Sequence, residues 1–356
     1  MREPVAIIGG GLSGLHAARL LHRAQMPFVL LEARTRLGGR ILSEDGFDLG
    51  PAWFWPDMQP AIAALIEELG LTGFQQYSEG DVLVEQAPNT PPARYPGFGQ
   101  MASSFRIAGG TAALVTALAR DLPQACIRLG STVTAAALHE GGVRLTVRNA
   151  ENESEIVEAR AVLFALPPRL LEKNVAFTPA LAPAFGARWR AMPTWMAPHA
   201  KFVAVYAKPF WRESGLSGTA QSGVGPMVEI HDASAMPERE DGAALFGFVG
   251  VPADARRRVG ESVLRQHCLA QLVRLFGADA GKPVSTHFKD WAADGFTATD
   301  ADVGEHPEVT AAPWFDAAWS HFAVMAGSEA APAHPGYLEG AVLAAEAAVR
   351  AIIASR

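Results

Sequence analysis

Three glycines and one carboxylate carry the first chemical suggestion in this chain. Gly9, Gly11 and Gly14 stand as Gly-x-Gly-x-x-Gly directly after the apolar run Val5-Ala6-Ile7-Ile8. That spacing suits a bound pyrophosphate. The first glycine allows a tight turn, the second lets phosphate approach the backbone, and the third lets helix and strand pack closely. Free amides and the dipole at the following helix start favour the negative charge. A second apolar run, Phe28-Val29-Leu30-Leu31, ends at Glu32. This is near the distance, about 20 residues, at which a carboxylate holds ribose hydroxyls. The same carboxylate repels a ribose 2′-phosphate, so NADP is disfavoured against FAD or NAD.

A glycine turn alone is common; strand, turn, helix, strand and terminal acid in order are not. From Leu15 the pattern becomes helical, with Ala18, Leu20 and Leu21 apolar, and helical spacing returns at Ile62, Leu65, Ile66 and Leu69. Residues 126–165 alternate in short segments with turns at Gly130 and Gly141-Gly142, which predicts β-structure. Residues 199–207, 226–230 and 243–249 read as a second set of strands, and 261–276 as a helix packed on the core. Ala87 to Pro92 reads as a Pro-rich loop.

The chain has 356 residues, is 49% hydrophobic and carries a net charge of -7 without a basic block. Length and apolar content suggest two domains, and the charge argues against nucleic acid as a partner. Cys126 and Cys268 form no C-x-x-C, which fits a reducing compartment better than a disulfide framework. No apolar run is long enough to span a bilayer, and Val5 already opens the first strand. The expectation is a cytoplasmic protein with no membrane partner. No histidine or carboxylate spacing supports a metal, and no serine sits in a nucleophile elbow.

Further motifs follow Glu32. Glu32-Ala33-Arg34, Leu37-Gly38-Gly39-Arg40 and Asp48-Leu49-Gly50 resemble the flavin-containing amine oxidase family, which includes the monoamine and polyamine oxidases. The resemblance extends through Gly109-Gly110-Thr111, Val133, Ala165-Leu166-Pro167-Pro168, the segment around Lys201, Trp291, Ala326-Gly327-Ser328-Glu329 and Gly336-Tyr337-Leu338-Glu339-Gly340-Ala341. It implies α/β plus α+β architecture: a Rossmann-like FAD-binding domain with an interleaved substrate domain on a mixed or antiparallel sheet. The expected boundaries are 1–77, 103–190 and 294–356 for the FAD domain, and 78–102 and 191–293 for the substrate domain.

The resemblance also implies roles. Gly9, Gly11, Gly14, Glu32, Arg34, Gly39, Arg40, Val133, Trp291, Gly327, Glu329 and Leu338 would contact FAD. A lysine at a strand start is ordinarily solvated. In the family, however, the lysine matching Lys201 holds a water at the reactive ring nitrogen, and a desolvated lysine has a lowered pKa suited to proton movement. Tyr337 matches one wall of an aromatic cage that orients an amine and can hold a cation against ring faces. Counting from Trp291 puts the other wall at Ala301, so that wall is missing; Trp53, Phe54 or Trp55 would have to supply the surface. Asp300 falls where some members carry the cysteine that bonds FAD, so attachment is expected to be noncovalent. Trp53 stands where amino-acid oxidases of the superfamily carry a carboxylate-clamping arginine, which argues for an amine lacking an α-carboxylate. Between Tyr77 and Phe105 the chain has only a brief loop where larger members carry an insertion. A smaller cover opens the approach, or a partner chain, as in a homodimer, supplies it.

The expected activity is oxidation of a small-molecule amine, with dioxygen reoxidising the flavin to yield hydrogen peroxide. Three alternatives remain at this level: a flavin-dependent desaturase or dehydrogenase of a natural product, a non-catalytic flavoprotein module and, less favoured because it leaves the C-terminal flavin motif without a purpose, an NAD-dependent dehydrogenase.

Overall fold

Alternate residues of the first strand, Val5–Ile8, are buried in different layers. Val5 and Ile7 pack among helices, whereas Ala6 and Ile8 pack against a second sheet. A strand buried on both faces is the mark of a parallel sheet with cover on each side. In the computed structural model, which describes residues 3–97, 103–236, 242–303 and 314–354, this strand is central in a five-stranded parallel sheet. The order is Ala323–Met325, Ala161–Phe164, Val5–Ile8, Phe28–Leu31 and Ile127–Arg128.

Helices Leu12–Arg23, Pro60–Glu68, Ala112–Arg120 and Leu338–Ala354 contribute to the core on one face. On the other face lies a four-stranded sheet ordered Ser154–Ala159, Gly142–Arg148, Thr132–His139 and Ala176–Thr178. These strands bear out the β-structure predicted for 126–165.

The third large sheet has seven strands in the order Ser285–Asp290, Ala200–Tyr206, Ala243–Val249, Met227–Asp232, Leu216–Ser222, Asp81–Glu85 and Ala93–Tyr95. Its pairs are antiparallel except that Leu216–Ser222 runs parallel to Asp81–Glu85, so the sheet is mixed. The helix predicted for 261–276 forms as Glu261–Phe276 and buries Leu264, Cys268 and Leu272 against this sheet. One expectation is corrected here. The region after Tyr77 is not merely a loop: Asp81–Glu85 and Ala93–Tyr95 form a hairpin on the sheet edge, joined by the Pro-rich segment. Residues 1–2, 98–102, 237–241, 304–313 and 355–356 of the expected domains lie outside the described residues.

Side-chain alternation in Ala200–Tyr206 decides where the lysine goes. Ala200, Phe202, Ala204 and Tyr206 join the core under the helix. Val203 and Val205 face the opposite way, toward Phe47 and Leu49. With period 2, Lys201 shares their face. No described helix is long and apolar enough to cross a membrane.

Candidate active site

The turn after the first strand is fixed by close approach. Gly9 has φ +106°, and a Cβ on Gly14 would fall 1.8 Å from the Gly9 carbonyl oxygen. The helix therefore starts at Leu12, earlier than the apolar spacing suggested, with Gly11 as its cap residue. Glu32 reaches back to this turn: its Oε2 accepts from the Gly10 N–H at 2.6 Å and its Oε1 from the Arg34 N–H at 2.8 Å. A carboxylate offers about four acceptor sites, so capacity remains for another hydroxyl. Arg34 turns toward a later segment, donating to Asp294 Oδ1 at 2.8 Å and Thr297 Oγ1 at 2.9 Å.

A cavity of about 690 Å³ runs from this turn to the seven-stranded sheet. Gly9, Gly11, Glu32, Arg34, Gly39, Arg40, Val133, Trp291, Gly327 and Leu338 line it, as do Trp53, Lys201 and Tyr337. Two expected contacts do not. Gly14 lies beneath the turn, and Glu329 is buried behind Arg40, with Arg40 Nη1 at 2.7 Å from Glu329 Oε1.

Lys201 is 3% exposed. Its Nζ donates to the carbonyls of Asp48 at 3.1 Å and Gly50 at 2.8 Å, and it lies 4.4 Å from the ring centre of Phe246. Between those two acceptors, the Leu49 carbonyl takes the indole N–H of Trp291 at 2.9 Å. Burial lowers the lysine pKa to about 7; Asp48 opposes the shift and Arg106 adds to it. The strand is anchored at its start by Arg256, which donates to Pro198 O and holds Asp290 through two bonds.

The aromatic side chains named in the sequence analysis for the cage fall into three groups. Trp53 packs against Phe246, Phe248 and His231, with its N–H on Gln76. Phe54 is buried on Phe105, away from the cavity. Tyr337 instead meets Trp195 and Trp55.

The family model described as flavin containing amine oxidoreductase matches residues 89–353, and a Rossmann-like NAD(P)-binding model matches 7–69. The chain belongs to the flavin-containing amine oxidoreductase family. It is 24% identical to a putrescine oxidase of Kocuria rosea, across 83% of this chain and 84% of that protein. It is also 24% identical to an L-amino acid dehydrogenase of Synechocystis sp., across 98% and 94%. The fold matches cyclohexylamine oxidase from Brevibacterium oxydans with a TM-score of 0.80 at 20% identity, covering all of both chains.

A flavin dinucleotide, as the family implies, fits the residues present. Above Gly11 the space is open: a Cβ there would have nothing nearer than 3.8 Å, whereas one on Gly9 would strike a carbonyl. The same cavity joins that opening to Lys201 and Tyr337.

The position reached by counting from Trp291 does not line the cavity. Ala301 is exposed and does not line the cavity; neither does Asp300. Arg169 donates to the Ala301 carbonyl at 3.0 Å and to Asp302 Oδ1 at 2.6 Å, which ties this segment down. The cavity also includes residues the sequence reading did not single out: Trp195, Phe248, Asn149 and Asn174. Phe248 was recoverable, because strand alternation pairs it with Lys201. Trp195 carried no periodic signal.

Proposed function

We propose that this protein is an FAD-dependent oxidase of a small amine lacking an α-carboxylate. The observation that carries the reading is the shared cavity, which has the glycine turn at one end and a buried lysine with aromatic side chains at the other. The chemistry bound FAD would supply is acceptance of a hydride from the carbon beside nitrogen, followed by electron transfer to dioxygen with release of hydrogen peroxide. Water hydrolyses the imine product.

The chain's own residues orient and exclude. Gly9, Gly11 and the start of Leu12–Arg23 would hold the pyrophosphate, Glu32 the adenosine ribose, and Arg34, Val133 and Thr297 the surrounding adenosine region. Arg40, Gly327 and Ser328 would bound the middle of the cofactor. Leu338 begins the 17-residue closing helix, whose positive end would favour negative charge at the pyrimidine side. Lys201 would position a water and move its proton. Trp53 and Phe248 supply apolar walls beside Lys201, and Tyr337 would meet the amine only on the ring face that Trp195 leaves uncovered. Neither cysteine lines the cavity, which supports noncovalent attachment. The domain division at 78–102 and 191–293 is part of the same reading.

Acid precipitation of purified protein should release yellow flavin into the supernatant. Anaerobic mixing with an amine panel should bleach it, and admitted air should restore the colour with peroxide. Flavin that no amine reduces would overturn the activity.

A further inference from the structure

Tyr337 has one face covered. The Trp195 indole stacks on it with ring centres 5.3 Å apart and planes 28° from parallel. A chain methylene between two rings needs roughly 7 Å, twice the ~3.5–4.0 Å carbon contact. The pair as it stands therefore admits nothing between its rings. Trp55 and His334 approach Tyr337 at 6.4 Å and 6.2 Å, both steeply inclined, so neither is a parallel wall.

The backbone near Trp195 is closely packed. Gly336 has φ +84°, and a Cβ there would lie 2.3 Å from Trp195 Cβ; only glycine lets the two segments meet. Arg40 Nη1 donates to the Trp195 carbonyl at 3.4 Å. Trp195 is 46% exposed, and Tyr337 is its one ring contact among the described residues. Six residues later in the same segment comes Lys201.

We propose that Trp195 is a specificity-determining residue: its indole closes the Tyr337 face, so the site takes amines with slim alkyl chains and rejects ring-bearing ones. This rests on the amine-oxidase reading above. A thin chain reaches Lys201 past Trp53 and Phe248, which line the same cavity. A bulky group needs the Tyr337 face as well, and the indole occupies it.

The test uses the purified holoprotein, Trp195→Ala and Trp195→Phe. Binding of benzyltrimethylammonium and tetramethylammonium is measured by calorimetry, which needs no turnover. Trp195→Ala should bind the benzyl probe about tenfold more tightly, with the small probe within about twofold, the discrimination expected of steric fit to one group. Trp195→Phe, which keeps a ring in place, should behave like the parent. Weaker binding of both probes by Trp195→Ala would make the indole a cation-holding wall and overturn the proposal; so would no change in either. In parallel, the benzylamine-to-butylamine ratio of flavin reduction should rise in Trp195→Ala. If neither amine reduces any variant, the oxidase reading fails, while calorimetry still decides the role of Trp195.

Discussion

Lys201 Nζ donates to the carbonyl of Gly50 at 2.8 Å across 151 residues of chain. The bond ties the seven-stranded sheet to the Asp48-Leu49-Gly50 segment, and the neighbouring Leu49 carbonyl holds Trp291. An ammonium group so placed is desolvated yet keeps two acceptors, which is how a lysine stays in a core while its pKa falls to about 7.

The first prediction concerns that proton. Reoxidation should slow as pH rises through about 7, where Lys201 loses the proton it can donate. Lys201→Met should keep FAD, reoxidise slowly and show no such inflection in stopped-flow traces. Stability gives an independent check. The folded pKa lies below the unfolded value of roughly 10.4, so the unfolded state binds the extra proton between them. The burial penalty is full below pH 7 and fades as pH approaches the unfolded value. Parent stability relative to Lys201→Met should therefore rise with pH over that window; a flat difference in urea melts would refute the shift.

Glu32 provides the second. Its carboxylate is the acceptor for two N–H groups, of Gly10 and Arg34. Glu32→Ala removes both partners together, and each buried orphan costs about 1–3 kcal/mol. FAD affinity should fall along with the melting temperature. Glu32→Gln keeps one acceptor and should lie between. Full FAD retention in Glu32→Ala, read by flavin fluorescence, would show that the turn does not depend on this acid.

Gly14→Ala is the third. The new Cβ would meet the Gly9 carbonyl at 1.8 Å, a backbone atom that no rotamer change can move aside. Overpacking of this kind costs roughly 1–3 kcal/mol, and here it separates the first strand from its helix. The expected result is a lower urea midpoint and loss of bound flavin, although Gly14 does not line the cavity. An alanine variant that keeps both would show that strand and helix can spread without opening the turn.

These cases show which parts of the molecule could be read in advance. The nucleotide-binding turn was legible because the apolar period changes from a buried strand to a helix across three glycines. The helix Glu261–Phe276 was legible from apolar spacing alone. Lys201 was legible as a strand position, but its burial depends on carbonyls far away in sequence. The hairpin Asp81–Glu85 with Ala93–Tyr95 was hidden because its partner strand, Leu216–Ser222, lies much later in the chain. Ala301 lies outside the cavity lining, and counting along a chain cannot see the Arg169–Asp302 pair beside it. Trp195 lies between a helix and a strand, where no periodicity marks which side chain turns inward.

The fourth prediction follows from the anchor behind the lysine strand. Arg256 Nε and Nη2 hold both oxygens of Asp290 at 2.7 Å and 2.6 Å, while Nη1 and Nη2 reach the carbonyls of Val251 and Pro198. The side chain is almost fully buried. Removing one partner of a buried ion pair costs about 3–5 kcal/mol, because the other charge is left uncompensated. Arg256→Met should lose stability on that scale. Arg256→Lys should recover little, since an ammonium cannot reproduce the planar fork. Because Pro198 precedes Lys201 by so few residues, the variant should also lose the inflection near pH 7 in reoxidation while FAD contacts at the glycine turn persist. Retained stability with an unchanged pH profile would mean that the strand start is held by the sheet alone.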